Sequence, residues 1–168
     1  MPKLNRDARH PITLTVDGRS VTGYAEPRML LSDFLRQEAG VRAVHVGCEH
    51  GVCGACTIRL DGKAVRSCLT LAMQADGRIV DTAEGLAEPG ELNDLQRAFR
   101  RHHGLQCGYC TPGILMSASD YLERTPQPDE EDVRDMLSGH LCRCTGYAGM
   151  VDAILDVADE RARPDETG

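Results

Sequence analysis

The chain contains no tryptophan, and its aromatic residues are limited to two phenylalanines and four tyrosines. A core with so few aromatic side chains often gains stability from another source, and metal ligation is one such source. No run of apolar residues approaches the length needed to span a bilayer. Residues 1–10 are polar and charged, without the apolar stretch and cleavage site of a secretory signal, so we expect a cytoplasmic location.

Positive charge is also scarce. The 19 Lys and Arg residues are outnumbered by 26 Asp and Glu residues, and the formal net charge is −7, which argues against a nucleic-acid partner. The sequence also lacks a G-x-G-x-x-G dinucleotide motif. No residue pattern indicates a catalyst of substrate chemistry, so we expect no catalytic residue in this chain.

Cysteine, by contrast, is abundant, and all eight cysteines fall into two groups of four. Disulfides are rare in the cytoplasm, so eight cysteines in that compartment indicate metal ligands. A secreted, disulfide-stapled protein is disfavoured by the missing signal and by the length of 168 residues. The two groups are Cys48, Cys53, Cys56 and Cys68, and Cys107, Cys110, Cys142 and Cys144.

The first group has the C-x4-C-x2-C spacing, with a distant fourth cysteine, of plant-type [2Fe–2S] ferredoxins. A loop folded around a cluster must point backbone N–H groups at sulfur, and Gly47, Gly51 and Gly54 give the backbone that freedom. A structural zinc site is the alternative, but the spacing fits zinc poorly. We therefore predict an iron–sulfur cluster here.

The second group pairs a C-x2-C motif with a later C-x-C motif. Two turns that each supply two sulfurs would build one tetrathiolate site. On spacing alone, iron–sulfur and zinc both remain open. The six histidines could replace cysteines as ligands, but each group already has four thiols, so we do not expect histidine ligation.

The residues between 11 and 84 predict an α+β domain. Alternating apolar residues flank the turn dipeptides Asp17-Gly18 and Asp61-Gly62, which indicates two hairpins. Apolar residues at helical spacing over 30–35 predict a helix, and residues 78–82 predict a last strand. Strands around one helix, with a Gly- and Cys-rich loop between them, favour a β-grasp sheet.

Beyond a linker at 85–90, the strand pattern is replaced by helical periodicity, so residues 91–160 predict an all-α domain of four helices. Pro112 lies at a first-turn position, and Asp129 is placed to cap the third of these helices. Residues 161–168 are charged and predict a flexible tail.

Three motifs together resemble the iron–sulfur small subunit of the molybdenum hydroxylases, the xanthine oxidase and carbon monoxide dehydrogenase family. They are GCEHGVCGAC at 47–56, QCGYCTPG at 106–113 and LCRCTGY at 141–147. The resemblance runs from about Ile12 to Ala158, with every cysteine in place. It implies a plant-type ferredoxin domain followed by a four-helix domain, each with one [2Fe–2S] cluster. The one departure, Ala148-Gly149, is interpreted as local variation near the cofactor interface.

The resemblance also implies partners. The family's molybdenum-pterin dinucleotide lies in a large subunit and its FAD in a medium subunit, so we expect a heterotrimer, commonly doubled. Gln106 matches a glutamine that hydrogen-bonds the pterin, and Cys144 matches the ligand that contacts the pterin amino group. The first cluster, with Glu49 and His50 on its loop, would face the flavin.

The function implied is transfer of single electrons from the pterin through the helical-domain cluster and then the N-terminal cluster to FAD. The substrate, hydroxylated with water as oxygen source, would bind to another chain, so carbon monoxide, an aldehyde, a purine or other N-heterocycle and an aromatic acyl-CoA all remain open. The alternatives are a free-standing two-cluster ferredoxin and a zinc-stabilised interaction module.

Overall fold

The computed structural model describes residue 5 and residues 8–163. Two hairpins supply four of its strands. In the first, β1 (His10–Val16) pairs with β2 (Arg19–Ala25), and in the second, β3 (Thr57–Leu60) pairs with β4 (Lys63–Arg66). Both residues of each connecting Asp-Gly dipeptide have positive φ, as a type I′ turn requires. The predicted hairpins are therefore confirmed.

The fifth strand, β5 (Ile79–Asp81), joins the two hairpins into one sheet of order β2-β1-β5-β3-β4. It runs parallel to β1 and antiparallel to β3. Helix α1 (Leu31–Gln37) buries Leu31, Phe34 and Leu35 in the same core as the inward residues of the sheet. This mixed sheet with one helix confirms the predicted β-grasp class. Two 3-10 turns, Ser67–Leu69 and Ala72–Ala75, were not predicted.

Four helices follow: α2 (Asp94–Arg101), α3 (Thr111–Arg124), α4 (Glu130–Ser138) and α5 (Ala148–Ala162). They enclose a second core that includes Phe99, Ile114 and Ile154. The Asp129 side chain accepts a hydrogen bond from the Asp132 N–H, so the predicted cap of α4 is confirmed. Within residues 5 and 8–163, no helix is long and apolar enough to cross a membrane.

The flexible tail was predicted to begin at residue 161, but helix α5 includes residues 161 and 162. The helix continues through Ala162, because the Arg161 guanidinium pairs with the Asp94 carboxylate of α2 at 2.7 Å and fixes the last turn against a neighbour. The rest of the predicted tail, residues 164–168, lies outside the described residues.

Gly149 has a packing role that our interpretation of it as local variation near a cofactor interface did not include. A Cβ at this position would lie 2.2 Å from the His102 carbonyl oxygen and 3.2 Å from the His103 carbonyl carbon. Both are backbone atoms at the end of α2, which cannot move aside as a side chain would. Glycine therefore lets α5 begin directly against the end of α2.

The two halves pack on each other through α3. The Arg59 guanidinium of β3 binds the Glu123 carboxylate of α3 in a two-pronged pair, with Nη1–Oε1 at 2.6 Å. Gly113 also makes a close approach, because an added Cβ there would lie 2.3 Å from the Gly54 carbonyl oxygen. Gly54 belongs to the first cysteine loop, so this interface positions that loop against the helical half.

Candidate metal centres

The first four cysteines lie at one end of the sheet. Cys48, Cys53 and Cys56 belong to the loop between α1 and β3, and Cys68 lies in the 3-10 turn after β4. Their thiols meet in two pairs, Cys48 with Cys53 and Cys56 with Cys68. The first pair is half-buried and the second is buried. The site thus has an outer and an inner pair of sulfurs.

The loop geometry around the outer pair follows the expected use of glycine. Gly51 and Gly54 have φ of 77° and 74°. With the loop folded this way, the N–H groups of His50 and Cys53 point at the Cys48 sulfur, at 3.3 and 3.4 Å. These backbone donors, Cys53 first, lower the pKa of Cys48 to about 6. The loop therefore stabilises a thiolate, the form that binds metal.

The second four cysteines lie in the two segments that connect the four helices α2 to α5 in pairs. Cys107 and Cys110 occupy the segment between α2 and α3, and Cys142 and Cys144 the segment between α4 and α5. The sulfurs again meet in pairs, with Cys107 and Cys144 3.5 Å apart and Cys110 beside Cys142. Cys107 and Cys144 are exposed, whereas Cys110 is buried. Two segments far apart in sequence are thus brought together in one site.

The inner thiols of both sites lie in surroundings that disfavour their ionised form. Burial, with the nearby Cys56 thiol, raises the pKa of Cys68 to about 11. Burial, with the neighbouring Cys142 thiol, raises the pKa of Cys110 to about 12. Metal binding must therefore release protons from these positions, which only strong metal–thiolate bonds can drive.

The donor sets fit two-metal clusters. Pairs of sulfurs suit a centre in which each of two metal ions takes two thiolates, better than a single ion that draws four sulfurs to one point. Among the described residues, no three His, Cys, Asp or Glu side chains converge as ligands of a single ion. The buried Thr111 hydroxyl, directly after Cys110, has no hydrogen-bond partner in the described part of the chain. A sulfur-rich cofactor beside it would supply an acceptor.

The two sites are joined by contacts that the sequence analysis did not predict. The Leu141 N–H donates to the Cys53 carbonyl at 3.0 Å and so links a first-site cysteine to the residue before Cys142. Tyr109, from the C-x2-C segment, stacks on His45 with ring centroids 4.8 Å apart and donates its hydroxyl to the Val46 carbonyl at 2.7 Å. The two cysteine loops thus lie directly against each other.

His140 is buried between the sites. Its Nε2 shares a hydrogen bond of 2.7 Å with the Ser117 hydroxyl, while Nδ1 is buried without a partner among the described residues. Burial, and then the positive charge of Arg66, lower its pKa to about 4. Arg66 itself donates to the Gly139 carbonyl at 2.7 Å and to the Thr57 hydroxyl. The sequence signal for this cluster was weak: a histidine two residues before Cys142, with no periodic pattern.

Gln106 lies on the surface beside the exposed Cys107–Cys144 pair. Its side-chain Nε2 donates to the Cys144 carbonyl at 3.0 Å. An amide has a donor and an acceptor, so its Oε1 remains available to a second group. Glu49 and His50 are exposed on the loop of the first site. The two sites therefore each present a ligand-bearing loop to solvent.

The fold and the two paired thiol sites define a protein with two iron–sulfur domains in tandem, and comparison with known families agrees. Residues 14–87 match the family described as "2Fe-2S iron-sulfur cluster binding domain", and residues 82–155 match that described as "[2Fe-2S] binding domain".

Full-length relatives identify the family more narrowly. The nicotine 6-hydroxylase small subunit of Paenarthrobacter nicotinovorans is 55% identical over 148 residues, covering 88% of this chain and 89% of the relative. The caffeine dehydrogenase subunit gamma of Pseudomonas sp. (strain CBB1) is 50% identical over 152 residues, covering 89% and 91%. In the crystal structure of quinoline 2-oxidoreductase from Pseudomonas putida 86, one chain superposes with a TM-score of 0.87 at 49% identity, covering 93% of this chain and 99% of that one.

The chain belongs to the iron–sulfur small subunits of the molybdenum hydroxylases. It is an electron-transfer subunit of a multi-subunit oxidoreductase and carries two [2Fe–2S]-binding domains. It is not the catalytic subunit of that complex. The resemblance stated on the three motifs is thereby confirmed.

Proposed function

We propose that Cys48, Cys53, Cys56 and Cys68 hold one [2Fe–2S] cluster and that Cys107, Cys110, Cys142 and Cys144 hold the other. The pairing of sulfurs in each site supports this assignment, since each pair is arranged to hold one of two metal ions. We propose corresponding domains at 11–84 and 91–160, joined by a linker at 85–90. When bound, the clusters supply one-electron redox chemistry.

The chain passes electrons from a molybdenum-pterin dinucleotide in a large subunit to FAD in a medium subunit, entering at the helical site and leaving at the N-terminal site. The observation that carries this proposal is the Leu141–Cys53 hydrogen bond, which joins the backbone of the two cysteine loops directly. A free-standing ferredoxin would need no second exposed loop; here each site has one. The partners form a heterotrimer, commonly doubled.

A cytoplasmic location fits the thiol chemistry of the sites. All eight cysteines are free of disulfides, and a reducing compartment keeps them so. The substrate is bound on another chain, so no residue described above selects it. Because the named relatives act on nicotine, caffeine and quinoline, we propose that the substrate of the complex is an N-heterocycle.

The relay is tested on the intact complex, mixed anaerobically with an N-heterocycle and, in parallel, with an aldehyde. Bleaching of the cluster absorbance, together with two [2Fe–2S] signals in freeze-quenched EPR samples, is the expected result with the heterocycle. Reduced FAD without any cluster signal on the same timescale would exclude the relay. Bleaching by the aldehyde alone would exclude the proposed substrate class and leave the relay standing.

The role of Gln106 at the pterin is tested by Gln106→Ala. We expect both cluster signals to persist and the affinity for the molybdenum subunit to fall by about 1–3 kcal/mol, because a buried partner group is left unpaired. Gln127→Ala, an exposed glutamine between α3 and α4, is the matched control and should bind normally. Unchanged affinity and turnover in Gln106→Ala would refute the pterin contact.

A further inference from the structure

The turn between α4 and α5 contains a closed ring of hydrogen bonds around Cys142. The Cys142 sulfur lies 3.2 Å from the Thr145 hydroxyl oxygen, and the Tyr147 N–H donates to that same oxygen at 3.2 Å. The Tyr147 hydroxyl then accepts the Cys142 N–H at 2.8 Å and donates to the His140 carbonyl at 3.0 Å. The ring fixes the Thr145 hydroxyl against the sulfur of a proposed cluster ligand.

Tyr147 adopts a backbone conformation that disfavours L-residues other than glycine. Its φ is +70°, in the left-handed region, which for a bulky side chain costs on the order of 1–3 kcal/mol. The two bonds of its hydroxyl, and the bond of its N–H to Thr145, offset that cost. The strained conformation of Tyr147 therefore orients the Thr145 hydroxyl.

The direction of the Thr145–Cys142 hydrogen bond follows from the chemistry of the two groups. A metal-bound cysteine is a thiolate and has no proton to give, so the threonine is the donor. The Thr145 oxygen already accepts from Tyr147, and its proton has two sulfur acceptors in reach, Cys142 at 3.2 Å and Met150 at 3.8 Å. The thiolate is both nearer and charged, so it takes the proton.

The surroundings of Cys142 agree with this direction, because the N–H groups of Cys144 and Thr145 also donate to its sulfur. At the first site, Cys48 and Cys68 accept from backbone N–H groups of His50, Cys53 and Gly51. A hydroxyl, unlike a backbone N–H, can be removed by substitution at one position.

We propose that the Thr145 hydroxyl, held in place by Tyr147, raises the reduction potential of the second [2Fe–2S] centre. The inference rests on the proposed function, in which Cys142 is a cluster ligand. Reduction adds one electron, supplied by the oxidoreductase activity of the complex, and forms or breaks no bond in this chain. A donor to the thiolate stabilises the added negative charge and thus favours the reduced state. Thr145 is a positioning residue in this reaction.

The test is an EPR-monitored redox titration of the full chain with both clusters loaded. Thr145→Val keeps the shape of the side chain and removes the hydroxyl, while Thr145→Ser keeps the hydroxyl. At the wild-type midpoint potential of the second centre, we expect the reduced-to-oxidised ratio of the valine variant to be roughly tenfold lower. For one electron, this corresponds to a midpoint potential about 59 mV lower. The serine variant should titrate as wild type, and the first centre should be unchanged in both.

Thr70→Val is the matched control, because Thr70 lies two residues after Cys68 and its hydroxyl donates to the Arg66 carbonyl at 3.3 Å. It should leave both potentials unchanged. Thr145→Ala removes the same hydroxyl with less bulk and serves if the valine variant does not hold the cluster.

The possible results distinguish a failure of the proposed Thr145 role from a failure of the proposed electron-transfer function. A second centre with an unchanged potential in a hydroxyl-free variant overturns the role of Thr145, as does an equal shift in valine and serine variants. A wild-type chain that takes up no second [2Fe–2S] centre would instead contradict the proposed function.

Discussion

Replacing Gly113 by alanine is expected to separate the two cysteine sites while leaving each of them able to bind a cluster. Gly113 lies in the first turn of α3, and a Cβ there would lie 2.3 Å from the Gly54 carbonyl oxygen and 3.0 Å from the Ala55 carbonyl oxygen. These atoms belong to the backbone of the first cysteine loop. The loop must therefore move as a unit, at a cost at or above the upper end of the roughly 1–3 kcal/mol typical of overpacking.

The movement has a functional consequence because the same loop carries the Cys53 carbonyl. Displacing the loop lengthens the hydrogen bond from the Leu141 N–H, now 3.0 Å, and with it a direct backbone connection between the sites. We expect a lower unfolding temperature, slower electron exchange between the centres and a weaker dipolar interaction between the two reduced clusters. The last quantity falls with the cube of distance and is measured by pulsed EPR.

Gly139→Ala is a matched control at the same interface. A Cβ at Gly139 would meet the flexible end of the Arg66 side chain at 3.2 Å, and the φ of −75° suits alanine. This variant should change stability and dipolar interaction little. If Gly113→Ala kept the wild-type unfolding temperature and dipolar interaction, the tight backbone contact between α3 and the first loop would not exist in solution.

The variant Cys110→Ser is expected to abolish the second cluster and spare the first. Cys110 is only 7% exposed, and its sulfur belongs to the inner pair with Cys142. Burial already holds its pKa at about 12, so a less acidic hydroxyl in the same place would remain protonated and would not replace the thiolate. Loss of the metal should also lower the stability of the helical half, whose helix ends are tied together at this site.

The measurement is iron and labile sulfide content together with EPR of the reduced chain. Cys56→Ser is the reciprocal control, since Cys56 is buried and belongs to the inner pair of sulfurs of the first site. It should remove the first signal and keep the second. If either variant lost both clusters, the two halves would not assemble their centres independently, and the proposed division into two domains would be wrong.

Several features of this protein follow from local chemistry and were therefore predictable. The Asp-Gly turns require positive φ at two successive residues, a conformation that few other dipeptides adopt readily. The cap at Asp129 depends only on a side chain three residues from its partner. The C-x4-C-x2-C spacing predicts a cluster site, because a short loop with glycines at fixed places limits where its sulfurs can lie. The fold class followed from the same local signals, and the family followed from the resemblance of the three cysteine motifs.

The features that depend on distant segments were not predictable. Gly149 was interpreted from its own helix, but its reason is the His102 carbonyl of another helix. The tail was expected to begin at residue 161, but the partner of Arg161 lies on α2.

The sequence alone thus predicted which cysteines would bind the two clusters and which helices and strands carry them, since spacing, turn residues and caps act within a few positions. Packing between the halves decided how the sites are joined, through the seating of Gly54 between Gly113 and His140 and through the Leu141–Cys53 hydrogen bond. These contacts have no local signature, because each one exists only when two segments remote in sequence fill the same space.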